Sequence, residues 1–218
     1  MKTVLAPKKS EKSKIQKIAF ELVEKLREGN VAVVAVESAY VAIADPASSD
    51  GVAVFRSLKD LDSDVSFPIF VNDISDLLSY LVEISDRDRL LTSVFWPGLL
   101  NVEFKASDVL PCTLGADANP ASVMARKPNN PLLNVVSELM GPVIYTALQD
   151  KNGKVLKSLP GLLPRAKKLI EIAINSGVIK STKQTSIVSC VDSKPKMLRE
   201  GSITYSEIKK VIPSLQTI

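Results

Sequence analysis

The sequence predicts an α/β domain built on one twisted sheet. Three observations carry that expectation. "VAVVAV" (31–36) is a fully apolar run of strand length, the kind buried on both faces. Several longer segments place apolar residues at helical spacing, and the two kinds of segment interleave along the whole chain with no repeat or low-complexity stretch. At 218 residues, 45% of them hydrophobic, the chain can bury a sizeable core without staples.

In chain order, Ser13-x-x-Gln16 reads as a capping box for a helix carrying Ile15, Ile18, Ala19, Leu22 and Leu26, with Gly29 as its stop. After the 31–36 strand, a helix is expected from about Ser49, with Val52, Phe55 and Leu58 on one side. "FPIFV" (67–71) reads as a strand, "DISDLLSYLVE" (73–83) as a helix, and 86–95 as a further helix capped by Ser85. The segment "FWPGLLNVEF" (95–104) holds the only tryptophan, in a Trp-Pro-Gly turn. Leu100, Val102 and Phe104 then alternate with Asn101 and Glu103, the period of a half-buried strand. "SVMARK" (122–127) is a strand, and 130–141 a helix with Asn130 as cap, Pro131 at its first position and Gly141 at its end. "PVIYTAL" is a strand, 151–163 a long mobile loop, and 164–176 a lysine-rich amphipathic helix. "TSIVSCV" (185–191) is a strand, "KMLREG" (196–201) a short extended piece, and Thr204-x-x-Glu207 caps the last helix.

The charge balance is mildly basic, 28 lysines and arginines against 24 acids, which tilts toward phosphate-bearing ligands or RNA, although solvated lysine on outer helix faces is the commoner origin of such an excess. The absence of histidine excludes a Ser-His-Asp triad, a Cys-His dyad and a His-containing zinc site. The two cysteines, Cys112 and Cys190, suggest no disulfide framework, so a reducing cytoplasm is expected. The N-terminus lacks an apolar signal core and no run reaches membrane-spanning length, so a soluble protein with no membrane partner is expected. The common glycine-rich nucleotide cradles are missing, and no acidic cluster has metal spacing; "DLDSD" (60–64) reads as a solvated turn. What remains is a set of polar residues at strand ends: Glu37, Ser38, Tyr40, Lys59, Arg126, Thr146, Thr185, Ser186 and Arg199. Singly, each is what a surface or capping residue looks like. In open α/β sheets, such residues can converge on one crevice.

Their order along the chain resembles the YrdC/TsaC family, the threonylcarbamoyl-AMP synthases. "FWPGLLNVEF" resembles that family's "FWPGPLTLVL", and "VVAVESAYVAIAD" (33–45) stands where the family has "VVAFPTETVYGLAAD". "VMARKPNNPLL" resembles "VAVRVPDHPLA", "GPVIYTALQD" resembles "GPLVATSANLS", and "QTSIVSCVDSKPKMLREGSI" resembles "PSTVVDLxxxxPRILRPGAI". With the stretch around Lys59, the likeness runs from about residue 15 to 212. It implies one YrdC-like domain over 15–212, between tails at 1–14 and 213–218, without the extra C-terminal domain of longer members. The implied architecture is a twisted mixed sheet flanked by helices around a basic concave cavity, with Trp96 as an architectural anchor.

The implied activity joins threonine, bicarbonate and ATP into threonylcarbamoyl-AMP and pyrophosphate, a nucleotidyltransferase reaction with Mg²⁺, for threonylcarbamoyl modification of adenosine in tRNA. No dedicated metal ligand is implied. Lys59 matches the lysine of the family's "KGR" and is the implied catalytic residue. Lys59, Arg126, Thr146, Ser186 and Arg199 are the implied nucleotide and phosphate ligands, and Ser38, Tyr40 and Arg126 the implied threonine ligands. Other positions depart from the family. Leu61 replaces the second cation of "KGR", Ala147 and Gln149 stand in "TSAN", and Val41 replaces a glycine. Each lost polar contact costs about 1–3 kcal/mol of binding or transition-state stabilisation. The alternative expectation is therefore an impaired paralogue that binds nucleotide or double-stranded RNA on the same basic surface.

Overall fold

The computed structural model describes residues 1–58, 66–112, 114–116 and 120–217. Among the described residues, eleven strands form one mixed sheet. They are β1 (Lys2–Leu5), β2 (Val31–Ala35), β3 (Tyr40–Ala44), β4 (Ile69–Phe70), β5 (Leu100–Lys105), β6 (Ser122–Arg126), β7 (Val143–Ala147), β8 (Ile170–Asn175), β9 (Ser186–Ser189), β10 (Lys196–Arg199) and β11 (Gln216–Thr217). Their order across the sheet is β1-β8-β2-β3-β7-β4-β6-β5-β9-β10-β11. Six helices accompany them: α1 (Lys12–Arg27), α2 (Ser49–Ser57), α3 (Asp86–Phe95), α4 (Pro131–Met140), α5 (Pro164–Leu169) and α6 (Tyr205–Val211).

Side-chain alternation splits the strands between two cores. On one face, Val33, Tyr40, Ile144, Val102 and Val188 pack with Phe55 of α2, Leu91 of α3, Ala166 of α5 and Ile208 of α6. On the other, Val34, Ile43, Tyr145, Phe70 and Ile174 pack with Leu22 and Leu26 of α1 and Leu133 and Val136 of α4. Leu22 and Leu26 are fully buried, each worth about 1.5–3 kcal/mol of transfer free energy. That second core takes no residue from β5, β6, β9 or β10 among the described residues. Among the described residues, α1 and α4 pack on only half of this face, and no residue of β6, β5, β9 or β10 joins their core; that second half is the open half-face.

Capping explains most helix starts. Ser85 and Thr204 make reciprocal capping boxes with Asp88 and Glu207, and the Asn130 side chain accepts from the N–H groups of Leu132 and Leu133. Gly29, at φ +85°, ends α1 as expected.

Four expectations are corrected. Helix α1 starts at Lys12, with Glu11 rather than Ser13 as its N-cap and no side-chain cap bond. Residues 73–83 form only a short 3-10 turn, Ile74–Leu77, opened by an Asp73–Asp76 capping box, and Leu81 then bridges to Ala106 instead of continuing a helix. The 164–176 segment is a helix only to Leu169. Ile170–Asn175 is an inner strand, where Ile172 and Ile174 fill the second core between β1 and β2. Its β-branched alternation suits a pleated surface better than a helix. Finally, the 151–163 loop is anchored, with Leu156, Leu159 and Leu162 buried in the first core.

Candidate functional site

The open half-face is built from the strand register. Val102 and Ala125 are paired and belong to the first core, so their neighbours Asn101 and Arg126 turn to the opposite side. Arg126 is paired with Phe70, Asn101 with Ile187, and Ile187 with Arg199. One row therefore crosses the face from Phe70 through Arg126, Asn101 and Ile187 to Arg199. Arg126 and Arg199 stand three strands apart in that row, about 14 Å at the usual inter-strand spacing. The next row carries Met124, Glu103 and Ser189, and Glu103 accepts a 2.7 Å bond from the Ser122 hydroxyl.

Arg126 is the centre of this surface. Its side chain is 3% exposed, which for a guanidinium requires partners. Nε donates to the Gly98 carbonyl at 2.7 Å, Nη2 pairs with Glu37, and the guanidinium lies 5.9 Å from the Phe70 ring centroid. The other Glu37 oxygen accepts from the Asn129 backbone N–H at 2.8 Å. The Trp-Pro-Gly turn thus has a definite task. Trp96 Nε1 donates to the Leu100 carbonyl at 2.8 Å, the Trp96–Pro97 peptide is cis, and Gly98 presents its carbonyl to Arg126. A Cβ at Gly98 would lie 2.7 Å from the Phe95 carbonyl, so only glycine fits the turn.

Beneath the arginine, Phe70 stacks flat on Tyr145 with ring centroids 3.7 Å apart. The Tyr145 hydroxyl donates to Asn101 Oδ1 at 3.0 Å. Burial pushes its pKa up, opposed by the positive charge of Arg126, the Asn101 bond and Arg199. The positive charges of Arg126 and, more weakly, Arg199 both favour the ionised phenol, against its burial.

The remaining sequence-predicted residues distribute differently. Lys59 and Leu61 lie outside the described residues. Arg199 is exposed, and its Nε donates to the Thr185 carbonyl at 2.9 Å while Nη2 bonds the Thr185 hydroxyl. Ser186 pairs with Leu100 of the first core, away from the open face. Its hydroxyl donates to the Ile203 carbonyl at 2.6 Å and accepts from the N–H groups of Gly201 and Ile203, both at 3.0 Å. It is fully buried and anchors the turn after β10. Thr146 is buried opposite Ala42, again on the first-core side. Tyr40 is buried in that core too. Its hydroxyl donates to the Gly177 carbonyl at 2.8 Å and accepts from the Ser176 N–H, and burial raises its pKa. Ser38 lies beside Glu37, its carbonyl held by Lys157, which also donates to the Ser181 carbonyl at 2.8 Å. The register thus puts Arg126, paired with Glu37, in one row with the more distant Arg199, and turns Tyr40, Thr146 and Ser186 the other way. Asn101, on the open half-face, Tyr145, in the adjoining second core, and Glu103, on the open half-face, had not been singled out as site residues. The alternation at 100–104 made the first and last visible as outward polar positions.

Among the described residues, no group of three or more acidic or cysteine side chains could hold a metal ion. No helix of the described residues is long and apolar enough to cross a membrane.

A family model for Sua5, YciO and YrdC proteins, described as "Telomere recombination", matches residues 24–201. Threonylcarbamoyl-AMP synthase of Bacillus subtilis is 26% identical over 200 residues, covering 86% of this chain and 54% of that protein. The chain spans about half the length of that curated relative. The crystal structure of Pyrococcus abyssi Sua5 complexed with L-threonine has a TM-score of 0.81 at 20% identity, covering 100% of this chain and 63% of that one. Escherichia coli YciO has a TM-score of 0.73 at 22% identity, covering 92% of this chain and 94% of that one. Both likenesses concern the fold. The family match runs from within α1 to just past β10 and takes in both arginines of the open face, and the chain belongs to the Sua5/YciO/YrdC family.

Proposed function

We propose that this chain makes threonylcarbamoyl-AMP from threonine, bicarbonate and ATP, releasing pyrophosphate. The observation that carries the reading is the single row in which Arg126 and Arg199 stand on the half of the sheet face that takes no part in the α1/α4 core among the described residues. Membership of the family and the named activity of the Bacillus subtilis relative support it. The Pyrococcus abyssi Sua5 complex with L-threonine supports the choice of amino acid. An alternative, a chain that only binds nucleotide or double-stranded RNA, is not favoured by a relative named for an enzymatic activity.

In this reading the threonine amine forms a nitrogen–carbon bond with bicarbonate, losing water, and gives a carbamate. A carbamate oxygen then attacks the α-phosphorus of ATP, and pyrophosphate departs with the electrons of the broken phosphorus–oxygen bond. Such a reaction asks the protein chiefly for positioning and for cations that neutralise phosphate charge. Arg126, rigidly held by Gly98 and Glu37, and Arg199, on its Thr185 tether, supply planar donors for the phosphates. Lys59 keeps the catalytic assignment. Threonine sits beside Ser38 and Arg126, while Tyr40 and Ser186 act through the backbone they anchor and Thr146 stands buried on the first-core side. Mg²⁺, a hard cation that prefers oxygen ligands and its own waters, would be carried mainly by the triphosphate. The product would supply tRNA modification in the cytoplasm.

The test is incubation of the purified chain with ATP, threonine, bicarbonate and Mg²⁺, with mass-spectrometric detection of threonylcarbamoyl-AMP and a pyrophosphate assay. The reading predicts a product that requires all three substrates and disappears in Lys59→Ala. Pyrophosphate release independent of threonine, or no product from folded protein, would overturn it.

A further inference from the structure

A cavity of about 400 Å³ lies at the carboxyl end of β2, enclosed by the β1–α1 connection, the segment after β8 and the start of α4. That volume falls within the roughly 300–1,000 Å³ usual for small-molecule sites. Arg126, Arg199, Asn101 and Tyr145 do not line it. Glu37 is the wall it shares with the open face.

The interior is aliphatic, formed by Ile15 of α1, Val34 and Val36 at the end of β2, Leu132 of α4 and Ile174 of β8. The lining also includes two exposed lysines, Lys9 and Lys180, neither of which has an acidic partner among the described residues. Helix α4 begins at this cavity, at Pro131, but its first N–H groups are already held by the Asn130 side chain, and Glu11 stands at the start of α1, so the charge offered to a ligand is that of the two lysines. Among the described residues, the only carboxylate in the lining, Glu37, is already held by Arg126 and the Asn129 N–H. An apolar chamber is thus combined with two lysines that have no acidic partner among the described residues.

We infer that this cavity binds a small amphiphilic carboxylate, its aliphatic chain against Ile15, Val36 and Ile174 and its carboxylate between Lys9 and Lys180. An uncharged hydrocarbon would forgo the lysines, and a polyphosphate would gain nothing from the aliphatic walls. The site is separate from the proposed ATP surface and stands or falls independently of it.

The experiment titrates the full chain, isotopically labelled at isoleucine, leucine and valine methyls, with butanoate, hexanoate, octanoate and the uncharged hexan-1-ol. Calorimetry and methyl NMR are the readouts. Affinity is expected to rise about fourfold for each methylene buried, until the chamber is full. Hexanoate is expected to bind more tightly than hexan-1-ol and to shift the methyls of Ile15, Val36, Leu132 and Ile174. The Lys9→Glu/Lys180→Glu double variant, altered only at exposed positions, is expected to lose about tenfold in hexanoate affinity, as two partly exposed ion pairs would give. Its thermal melt checks that it stays folded. The inference is overturned if none of the acids shifts these methyls or if the alcohol binds as well as the acid. It is equally overturned if the double variant binds hexanoate unchanged, or if the shifts centre on residues beside Tyr145.

Discussion

Replacing Glu37 by glutamine isolates the pairing that fixes the central cation of the open face. The Glu37→Gln side chain would keep a carbonyl oxygen for the Asn129 N–H, so the backbone contact at 2.8 Å survives. It would lose the negative charge facing Arg126, whose side chain is only 3% exposed. Removing one member of a fully buried ion pair costs about 3–5 kcal/mol, because the remaining charge is stranded. Glu37 itself is 19% exposed, so water offsets part of that cost. A loss of about 3 kcal/mol follows, a large part of the roughly 5–15 kcal/mol that stabilises a typical domain. In a chain of this length, that corresponds to a melting-temperature drop of about 6–12 °C. Urea denaturation of wild type, Glu37→Gln, Arg126→Met and the double variant gives the coupling directly. The double variant should be no less stable than Arg126→Met alone, with a coupling of about 2 kcal/mol or more. A Glu37→Gln loss below about 1 kcal/mol, or additive single effects, would refute the claim that this pair holds Arg126 in place.

Three further outcomes are expected. Ser186→Ala strands the Ile203 carbonyl and the Gly201 and Ile203 N–H groups in a fully buried position, so denaturation should show a loss of about 2–4 kcal/mol. Arg199→Ala, at an exposed position, should change stability by less than about 0.5 kcal/mol, yet weaken ATP binding by calorimetry about tenfold or more if the proposed function is right. The third concerns pH. Burial first, then Asp88, pushes the Cys190 thiol up to about 12 from an ordinary 9.0. Below pH 9.0 both folded and unfolded chains hold this proton, and the contribution to stability is complete. Above it the unfolded chain releases the proton while the folded chain keeps it, so stability falls by up to about 1.4 kcal/mol per pH unit until the folded thiol ionises. Cys190→Ala should lack that extra slope in denaturation series between about pH 8 and 10, and equal slopes would sink the assignment.

The sequence by itself determined the elements whose signals are local. Asn130 with Pro131 and Gly141, Ser85 with Asp88, and Thr204 with Glu207 mark helix ends because a cap is a bond between residues two or three apart. Strand β2 was legible because a run that is apolar at every position has no exposed face to present. It also supplied the family likeness, and with it Arg126 and Arg199 as residues worth following. Tertiary structure decided what those local signals do not contain. The stretch 170–175 became an inner strand because β1 and β2 flank it and the second core needs its isoleucines. Which strand-end residues meet was set by sheet order and by the parity of each register, properties of pairings between distant segments. A shift of one residue reverses a side chain's face. That parity sent Ser186 and Thr146 into the first core and aimed Arg126 at the open face, where Glu37, far away in sequence, arrives to hold it.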